Sequence, residues 1–361
     1  MAYYPDWAGF PPEKIDFNRF DWIDFAFALP TSNYDLTWDA PAAPGFLTRL
    51  ITCAHAKGKH VKLSIGGWTG SKYFSSAVST SKSRETFVEN IVGVYQEFNL
   101  DGIDIDWEYP GRQGAGNNQV NKNDSANFLS FLQLLRCKLP SSAVITAATL
   151  TTTFSGSNGQ SMRNVTAFAQ VLDWILMMNY DVWGASSKPG PNAPLSNACK
   201  ISSQPDASAE AGSDAWTAAG MPPNKQVLGV PSYAYLSRSN ATRLQTRRSS
   251  PVQLVGDGDQ IQFNEIVKQG ALVRTGTLDN YGPRFDGSGG YTRCWDSCSS
   301  TPFLRSPSAG QVVTYDDPQS LGMKAAFARR RGMRGVNMFD VHGDTDDWDL
   351  ADSIRRGLGC I

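Results

Sequence analysis

The sequence has almost no net charge. Thirty-three Lys and Arg stand against thirty-four Asp and Glu, leaving −1 over 361 residues. That balance lacks the basic footprint which nucleic acid or an anionic membrane surface requires, so neither is expected as a partner. No apolar run approaches the roughly 20 residues needed to cross a bilayer, and there is no internal repeat. Histidine is scarce: His55, His60 and His342 have no metal-ligand spacing, and neither metal nor cofactor is expected. Six cysteines (Cys53, Cys137, Cys199, Cys294, Cys298 and Cys360) lack the paired Cys-x-x-Cys pattern of a zinc site. Their even number allows disulfides in a secreted protein. Cys294 and Cys298 alone are close enough in sequence to suggest a local bridge. Sequons at Asn123, Asn164 and Asn240 are no more than composition supplies by chance. The acidic run Asp344-Thr345-Asp346-Asp347 reads as a cap for a last helix rather than a cation site.

Aromatic residues are plentiful, with ten Trp, twelve Tyr and eighteen Phe. Stacking on a neutral polymer suits that profile, although most of the Trp belong in a core. Strand-like apolar runs alternate with amphipathic segments. Strands are expected at Ala2–Tyr4, Trp22–Leu29, His60–Ile65, Gly102–Glu108, Val144–Leu150, Trp174–Tyr180, Gln226–Tyr233 and Gly335–Val341. Helices are expected at Gly45–Lys57, Ser83–Phe98, Asp124–Lys138, Gln319–Arg331 and Asp347–Leu358. Eight parallel strands with interleaved helices imply a (β/α)8 TIM barrel, an α/β fold whose active sites gather at the C-terminal strand ends. The spacing breaks between Tyr233 and Gly335. There Ser237 to Gln311 reads as a small α+β insertion with antiparallel pieces at Gln260–Phe263 and Gly289–Trp295. The expected division is 1–236 with 312–361 for the barrel and 237–311 for the insertion between strands seven and eight. Gly184–Pro205 reads as a surface loop.

The most informative stretch is Asp101-Gly102-Ile103-Asp104-Ile105-Asp106-Trp107-Glu108. Alternate strand residues share a face, so Asp104, Asp106 and Glu108 line one side, about 7 Å apart, with Ile103, Ile105 and Trp107 on the other. A buried parallel strand is ordinarily apolar on both faces. Like charges this close cannot all ionise cheaply, so at least one carboxyl should hold a proton near neutral pH, as a general acid must. The plainer alternatives are a solvated acidic strand end or a cation site. Asp101 falls out of phase and is expected to be structural.

Asp101 to Glu108, followed by Tyr109 and Pro110, resembles the catalytic signature of family 18 glycoside hydrolases, the chitinase family, in its secreted fungal form. The resemblance extends over nearly the whole chain. It implies hydrolysis of β-1,4-linked N-acetylglucosamine polymers, with Glu108 as general acid, Asp106 orienting the substrate's acetamido group and Asp104 as Asp106's buried partner. The acetamido oxygen would act as nucleophile, giving a retaining, substrate-assisted reaction. Met177-Met178-Asn179-Tyr180-Asp181 resembles the family's Met-x-Tyr-Asp element, which implies that Tyr180 donates to the acetamido oxygen while Met178 and Asp181 contact sugar. Ser64-Ile65-Gly66-Gly67-Trp68 resembles its Ser-x-Gly-Gly motif. Ser64 is expected to bond Asp104, and the glycines, Gly67 included, to admit close backbone approach to sugar. Trp68 and Trp183 are expected as stacking platforms and Trp7 as a weaker one; Trp22, Trp107 and Trp174 are expected to pack. Tyr3, Phe27, Tyr109 and Tyr233 complete the substrate-binding set.

Two positions depart from the family. Phe339 stands where the sugar-site floor is commonly Trp. Gly229-Val230-Pro231-Ser232-Tyr233-Ala234-Tyr235 places Tyr235 where Arg often follows. The chain opens at Met1-Ala2-Tyr3-Tyr4 inside its first strand, with no signal peptide, which reads as the trimmed start of a secreted monomer. Its partners would be chitin and chitooligosaccharides. Two rivals stand beside that reading: a chitin-binding lectin on the same barrel, and an endo-β-N-acetylglucosaminidase acting on N-glycans.

Overall fold

The computed structural model describes residues 1–238 and 254–361, and the sequon at Asn240 lies outside them. The first half of the chain alternates regularly: β1 (Ala2–Pro5), β2 (Trp22–Pro30), β3 (Leu36–Trp38), α1 (Ala43–His55), β4 (His60–Gly66), α2 (Phe74–Val78), α3 (Ser81–Glu97), β5 (Gly102–Asp106), α4 (Asp124–Lys138), β6 (Val144–Thr149), α5 (Thr166–Val171) and β7 (Trp174–Met178). The second half begins with α6 (Ala209–Ala218), β8 (Gln226–Pro231), β9 (Tyr233–Arg238), β10 (Gln260–Gln262), α7 (Phe263–Lys268), β11 (Leu272–Asp279) and β12 (Gly282–Gly287). It ends with β13 (Thr292–Asp296), β14 (Thr301–Ser306), β15 (Gln311–Thr314), α8 (Pro318–Arg330), β16 (Gly335–Phe339) and α9 (Asp349–Leu358). The large sheet runs β1-β16-β8-β7-β6-β5-β4-β2-β3, and β1 also pairs with β2, which closes it. Strands β1, β2, β4, β5, β6, β7, β8 and β16 form the (β/α)8 barrel, and β3 is an antiparallel addition to β2.

The chain divides into two compact units, Met1–Met178 with Ser213–Val227, and Asn179–Gly212 with Leu228–Ile361. In the first, the outward face of β5 supplies the packing. Trp107, just beyond that strand, is 1% exposed and stacks on Phe74 of α2 at 5.2 Å, with its edge toward Phe128 of α4 at 5.5 Å. Helix α3 starts where it does because Thr80 and Ser83 form a reciprocal capping box. Register across the barrel follows from parallel pairing: Ser64 lies beside Asp104, and Asp104 beside Thr146. β5 ends at Asp106, two residues earlier than expected, so Glu108 projects from the chain just past the strand rather than from it. Trp107 and Trp174 are buried, as expected.

The second unit holds a five-stranded antiparallel sheet, β10-β9-β15-β14-β13, and the hairpin β11-β12. The expected strand Gln226–Tyr233 is interrupted. Pro231 has no N–H to continue the ladder, and Ser232 turns aside, donating from Oγ to the Asp340 carbonyl and accepting from the Asp340 N–H, both at 2.8 Å. Tyr233 then opens β9 of the antiparallel sheet. Asp344 accepts from the backbone N–H groups of Leu350 and Ala351 at 2.9 and 2.8 Å, so the acidic run caps α9. Burial pushes the Asp344 carboxyl up to about 7 against those donors.

The expected Cys294–Cys298 bridge does not form. Cys298 is bonded to Cys199, with 5.1 Å between their Cα atoms, and Cys294 is free. The cause is local backbone pairing: the Cys298 carbonyl accepts from the Ala198 N–H at 3.0 Å and the Ser196 hydroxyl at 3.1 Å, drawing Cys199 alongside. Closing a loop of sequence separation 99 constrains the unfolded chain strongly. Replacing Cys199 and Cys298 together by Ser should therefore cost about 2–4 kcal/mol in urea denaturation. Cys294→Ser should stay within about 0.5 kcal/mol of the parent, and the reverse pattern would reinstate the local bridge.

Candidate active site

The acidic face of β5 is built from below. Asp104 is completely buried, and its two oxygens accept three hydroxyl donors. Ser64 and Tyr3 donate to Oδ2 at 2.7 and 2.9 Å, and Thr146 donates to Oδ1 at 2.6 Å. These donors come from β4, β1 and β6, so the barrel's own register assembles the cage. Ser64 is the donor the sequence motif points to. Thr146 carries no such mark, because its place beside Asp104 depends on strand pairing rather than on any local motif.

Asp106 sits one step higher and is 4% exposed. Burial pushes its carboxyl well above the ordinary range, and the neighbouring Glu108, Asp104 and Asp24 carboxyls push in the same direction. Asp106 is the member of the row whose surroundings disfavour the ionised form in this way. Its backbone is also held: the Asp106 carbonyl accepts from the Gly67 N–H at 2.8 Å and the Ser71 hydroxyl at 3.1 Å. Ser71 also accepts from the Glu108 N–H at 2.8 Å, and Asn118 Nδ2 donates to the Glu108 carbonyl at 3.2 Å. Ser71 and Asn118 thus fix the short segment that carries Glu108, and neither was visible as a site residue in the sequence. Gly66 has φ +116°, and a Cβ there would come within 2.2 Å of the Asp106 carbonyl. A Cβ on Gly67, at φ +82°, would meet the Phe27 ring at 2.8 Å. Gly66 thus makes room for the end of β5 and Gly67 for the Phe27 ring of β2.

Around this column stand aromatic faces. Tyr3 and Phe27 have ring centroids 6.2 Å apart, and Phe27 stacks on Trp7 at 5.9 Å and 22°. Trp68 lies edge-on to Tyr109 at 6.5 Å. Trp7 is 56% exposed and Trp68 54%, so Trp7 offers as open a face as Trp68 does. Met178 ends β7 half-buried.

In the second unit, Asn179-Tyr180-Asp181 leads out of β7. The buried Asn179 donates to the Pro194 carbonyl at 3.1 Å, and the Asp181 N–H donates to Asn192 Oδ1 at 2.8 Å. Asp181 accepts from the hydroxyls of Tyr233 at 2.5 Å and Tyr235 at 2.7 Å, and Gln260 donates to Tyr235 at 3.0 Å. Desolvation of the Asp181 carboxylate raises its pKa while the two hydroxyls lower it, although the residue as a whole retains open surface. Tyr235, found where the family often has Arg, thus keeps Asp181 hydrogen-bonded without adding a charge. Phe339 packs against Tyr180 at 6.0 Å and Tyr233 at 6.2 Å. The Trp183 ring lies against Gly190, where a Cβ would come within 2.5 Å of it.

The sequence profile of glycosyl hydrolases family 18 matches residues 1–344. A Moniliophthora roreri protein named a chitinase-like effector is 35% identical, covering 99% of this chain and 92% of its own. Chitinase A1 of Niallia circulans is 31% identical over 85% of this chain and 44% of its own length. The crystal structure of a chitinase from Rhizomucor miehei covers 99% of both chains at 32% identity, with a TM-score of 0.81.

The raised Asp106 carboxyl makes a prediction about stability. A group that binds its proton more tightly folded than unfolded favours folding below the ordinary carboxylate range, and that contribution is lost as pH rises through the folded value. Asp106→Asn removes the penalty of ionising there. Its melting temperature should exceed the parent's above neutral pH, with the gap closing toward pH 4; a gap that is the same at every pH would contradict the burial argument.

Proposed function

The chain belongs to glycosyl hydrolase family 18, and we propose that it is a secreted, monomeric chitinase that cleaves β-1,4-N-acetylglucosamine linkages with retention, using the substrate's acetamido oxygen as nucleophile. The observation that carries this reading is the carboxylate column: Asp104 caged by three hydroxyl donors, Asp106 buried above it with a raised proton affinity, and Glu108 at the end of the strand. In this proposal Glu108 protonates the departing glycosidic oxygen. Asp106 hydrogen-bonds the acetamido N–H and stabilises the positive charge that develops as the acetamido oxygen closes on the anomeric carbon. Such a reaction needs no carboxylate nucleophile, because the substrate supplies its own.

Tyr180 is assigned as the donor to the acetamido oxygen, with Met178, Asp181, Tyr233 and Phe339 on the sugar. Tyr3, Phe27, Ser64, Gly67 and Tyr109 are assigned to substrate binding in the first unit. The exposed indoles of Trp68 and Trp7, together with Trp183, are assigned as stacking faces for further sugars. Secretion is supported by the Cys199–Cys298 disulfide. The division into a barrel of 1–236 with 312–361 and an insertion of 237–311 belongs to the same proposal; the antiparallel strands, which begin at Tyr233 and end at Thr314, support it to within a few residues.

One observation favours a second reading, a chitin-binding protein without turnover: the name chitinase-like effector borne by a relative that is 35% identical. Glu108→Gln separates the two. The amide keeps the shape and cannot donate the proton, so release of sugar from colloidal chitin should fall at least ~100-fold while oligosaccharide binding persists. A loss below ~10-fold removes Glu108 from the acid role, and a parent protein that binds but releases nothing establishes the second reading.

The nucleophile is tested with partly deacetylated oligomers. Bonds that follow a glucosamine on the non-reducing side should resist cleavage whatever stands elsewhere, and sequencing the products reads this out. Efficient cutting after glucosamine would overturn the substrate-assisted mechanism. Parallel turnover assays on a high-mannose glycopeptide should be negative, since an N-glycan hydrolase would show the opposite preference.

A further inference from the structure

The second unit holds a cavity of about 430 Å³ that none of the residues assigned above to the sugar lines. Its floor is one face of the antiparallel sheet. Phe303 and Arg305 alternate along β14 on that face, and β15 sets Thr314 opposite Phe303 and Val312 opposite Arg305. Leu304 and Val313, between them, are fully buried on the other face, whereas Phe303 and Val312 are only half-buried. The wall is the segment Pro189-Gly190-Pro191.

That wall is anchored on both sides. Before it, the Ser186 N–H donates to Ser237 Oγ of β9 at 3.1 Å. After it, Asn192 accepts from the Asp181 N–H at 2.8 Å and donates to the Tyr233 carbonyl at 3.3 Å. The Cys199–Cys298 disulfide then ties the same loop to the turn between β13 and β14. Both prolines have a preset φ, so the wall has little freedom left to lose when a ligand arrives. A rigid, largely apolar concavity of this size is what a small-molecule site requires.

Most polar groups of the lining are already engaged. Asp296 accepts from the Cys298 and Ser299 N–H groups at 3.1 and 3.2 Å and from the Ser299 hydroxyl. Gln311 bonds the Leu254 N–H and carbonyl and accepts from the Tyr291 hydroxyl. Ser306 accepts from the Ala309 N–H at 3.1 Å, and the Thr301 hydroxyl is bonded to Ser299. The Arg305 guanidinium and the Thr314 hydroxyl, by contrast, make no hydrogen bond or ion pair among the described residues. They occupy diagonal corners of the floor, with Cα atoms about 7–8 Å apart. Phe303 and Val312 hold the other two.

These groups define a ligand. A guanidinium with five unused N–H donors matches a carboxylate bidentately. The Phe303 ring and the proline C–H faces leave room for a flat ring between floor and wall. A carboxylate attached to an aromatic ring lies in the plane of that ring, so the two enter such a slot together, and Thr314 is placed to bond a polar substituent at the far end. A pyranose would bring hydroxyls on every side, and the engaged lining would leave most of them unpaired. We propose that this cavity is a binding site for a small aromatic carboxylate, with its charge on Arg305, its ring between Phe303 and the proline wall, and a hydroxyl on Thr314. The proposal does not rest on the hydrolase reading.

Calorimetric titration of the full chain with 4-hydroxybenzoate tests it, with an expected Kd on the order of 0.1–1 mM. Arg305→Gln should weaken binding at least ~10-fold and leave the melting temperature unchanged, because the side chain is exposed. Arg305→Lys keeps the charge without the fork and should recover only part of that loss. The methyl ester, which keeps the ring and lacks the charge, should also bind at least ~10-fold more weakly than the acid. The parent should prefer 4-hydroxybenzoate to benzoate by about 3–10-fold, a preference that Thr314→Val should abolish. Saturating chitotetraose should leave the titration unchanged, and sugar release from chitin by Arg305→Gln should match the parent's. Equal affinity in the parent and Arg305→Gln, an ester that binds as well as the acid, or no saturation by about 10 mM would overturn the proposal. Displacement by chitotetraose, or slower sugar release by Arg305→Gln, would return the cavity to the polymer's path and overturn it equally.

Discussion

Everything chemical in this barrel hangs on the burial of one carboxylate. Asp104 has no exposure at all, so its carboxyl oxygens must find their hydrogen-bond partners in the protein. Removing a charge from water costs several kcal/mol. Each hydrogen bond to a charged group returns about 1.5–3 kcal/mol, and three hydroxyls from three strands supply them. Asp106 above it stands in a dry surrounding, which raises its proton affinity most, and the neighbouring Glu108 and Asp104 carboxyls push the same way. The cost of the column is met by the other side of the same strand, where Ile103, Ile105 and Trp107 are buried against helices.

A second carboxylate is treated differently. Asp181 is held by the Tyr233 and Tyr235 hydroxyls, with Gln260 behind Tyr235. A guanidinium at position 235 would bring a full positive charge and strongly favour the ionised carboxylate. Two phenols favour it less, and desolvation wins. The pairing of Phe339 with Tyr180 and Tyr233 similarly exchanges the larger indole face for a smaller ring with no N–H. Both changes fall among residues assigned to the sugar.

How much of this was readable in the chain follows from the range of each interaction. Asp104, Asp106 and Glu108 announce themselves through a period of two in a strand that is otherwise apolar, because the signal is contained in eight consecutive residues. Eight strands and their helices are readable for the same reason, with ends that shift by a residue or two where Pro231 or a capping box intervenes. Thr146 has no such signal. It is an ordinary residue in its own strand, and only the register that sets Asp104 beside it gives it a role. Cys199 is a similar case: its partner is chosen by backbone bonds between segments about a hundred residues apart, whereas sequence proximity favoured Cys294. Ser71 and Asn118, which hold the Glu108 backbone, lie in loops where no periodicity exists to be read.

In the proposed reaction the carboxylate column works with a nucleophile that belongs to the substrate. The stereochemistry of the first product tests it most directly. Proton NMR of chitohexaose hydrolysis, recorded before mutarotation scrambles the anomers, should show new reducing ends appearing as the β-anomer, since attack by the acetamido oxygen followed by water inverts the anomeric carbon twice. Initial appearance of the α-anomer would mean direct attack by water, and would contradict the mechanism assigned to Asp106 and Glu108.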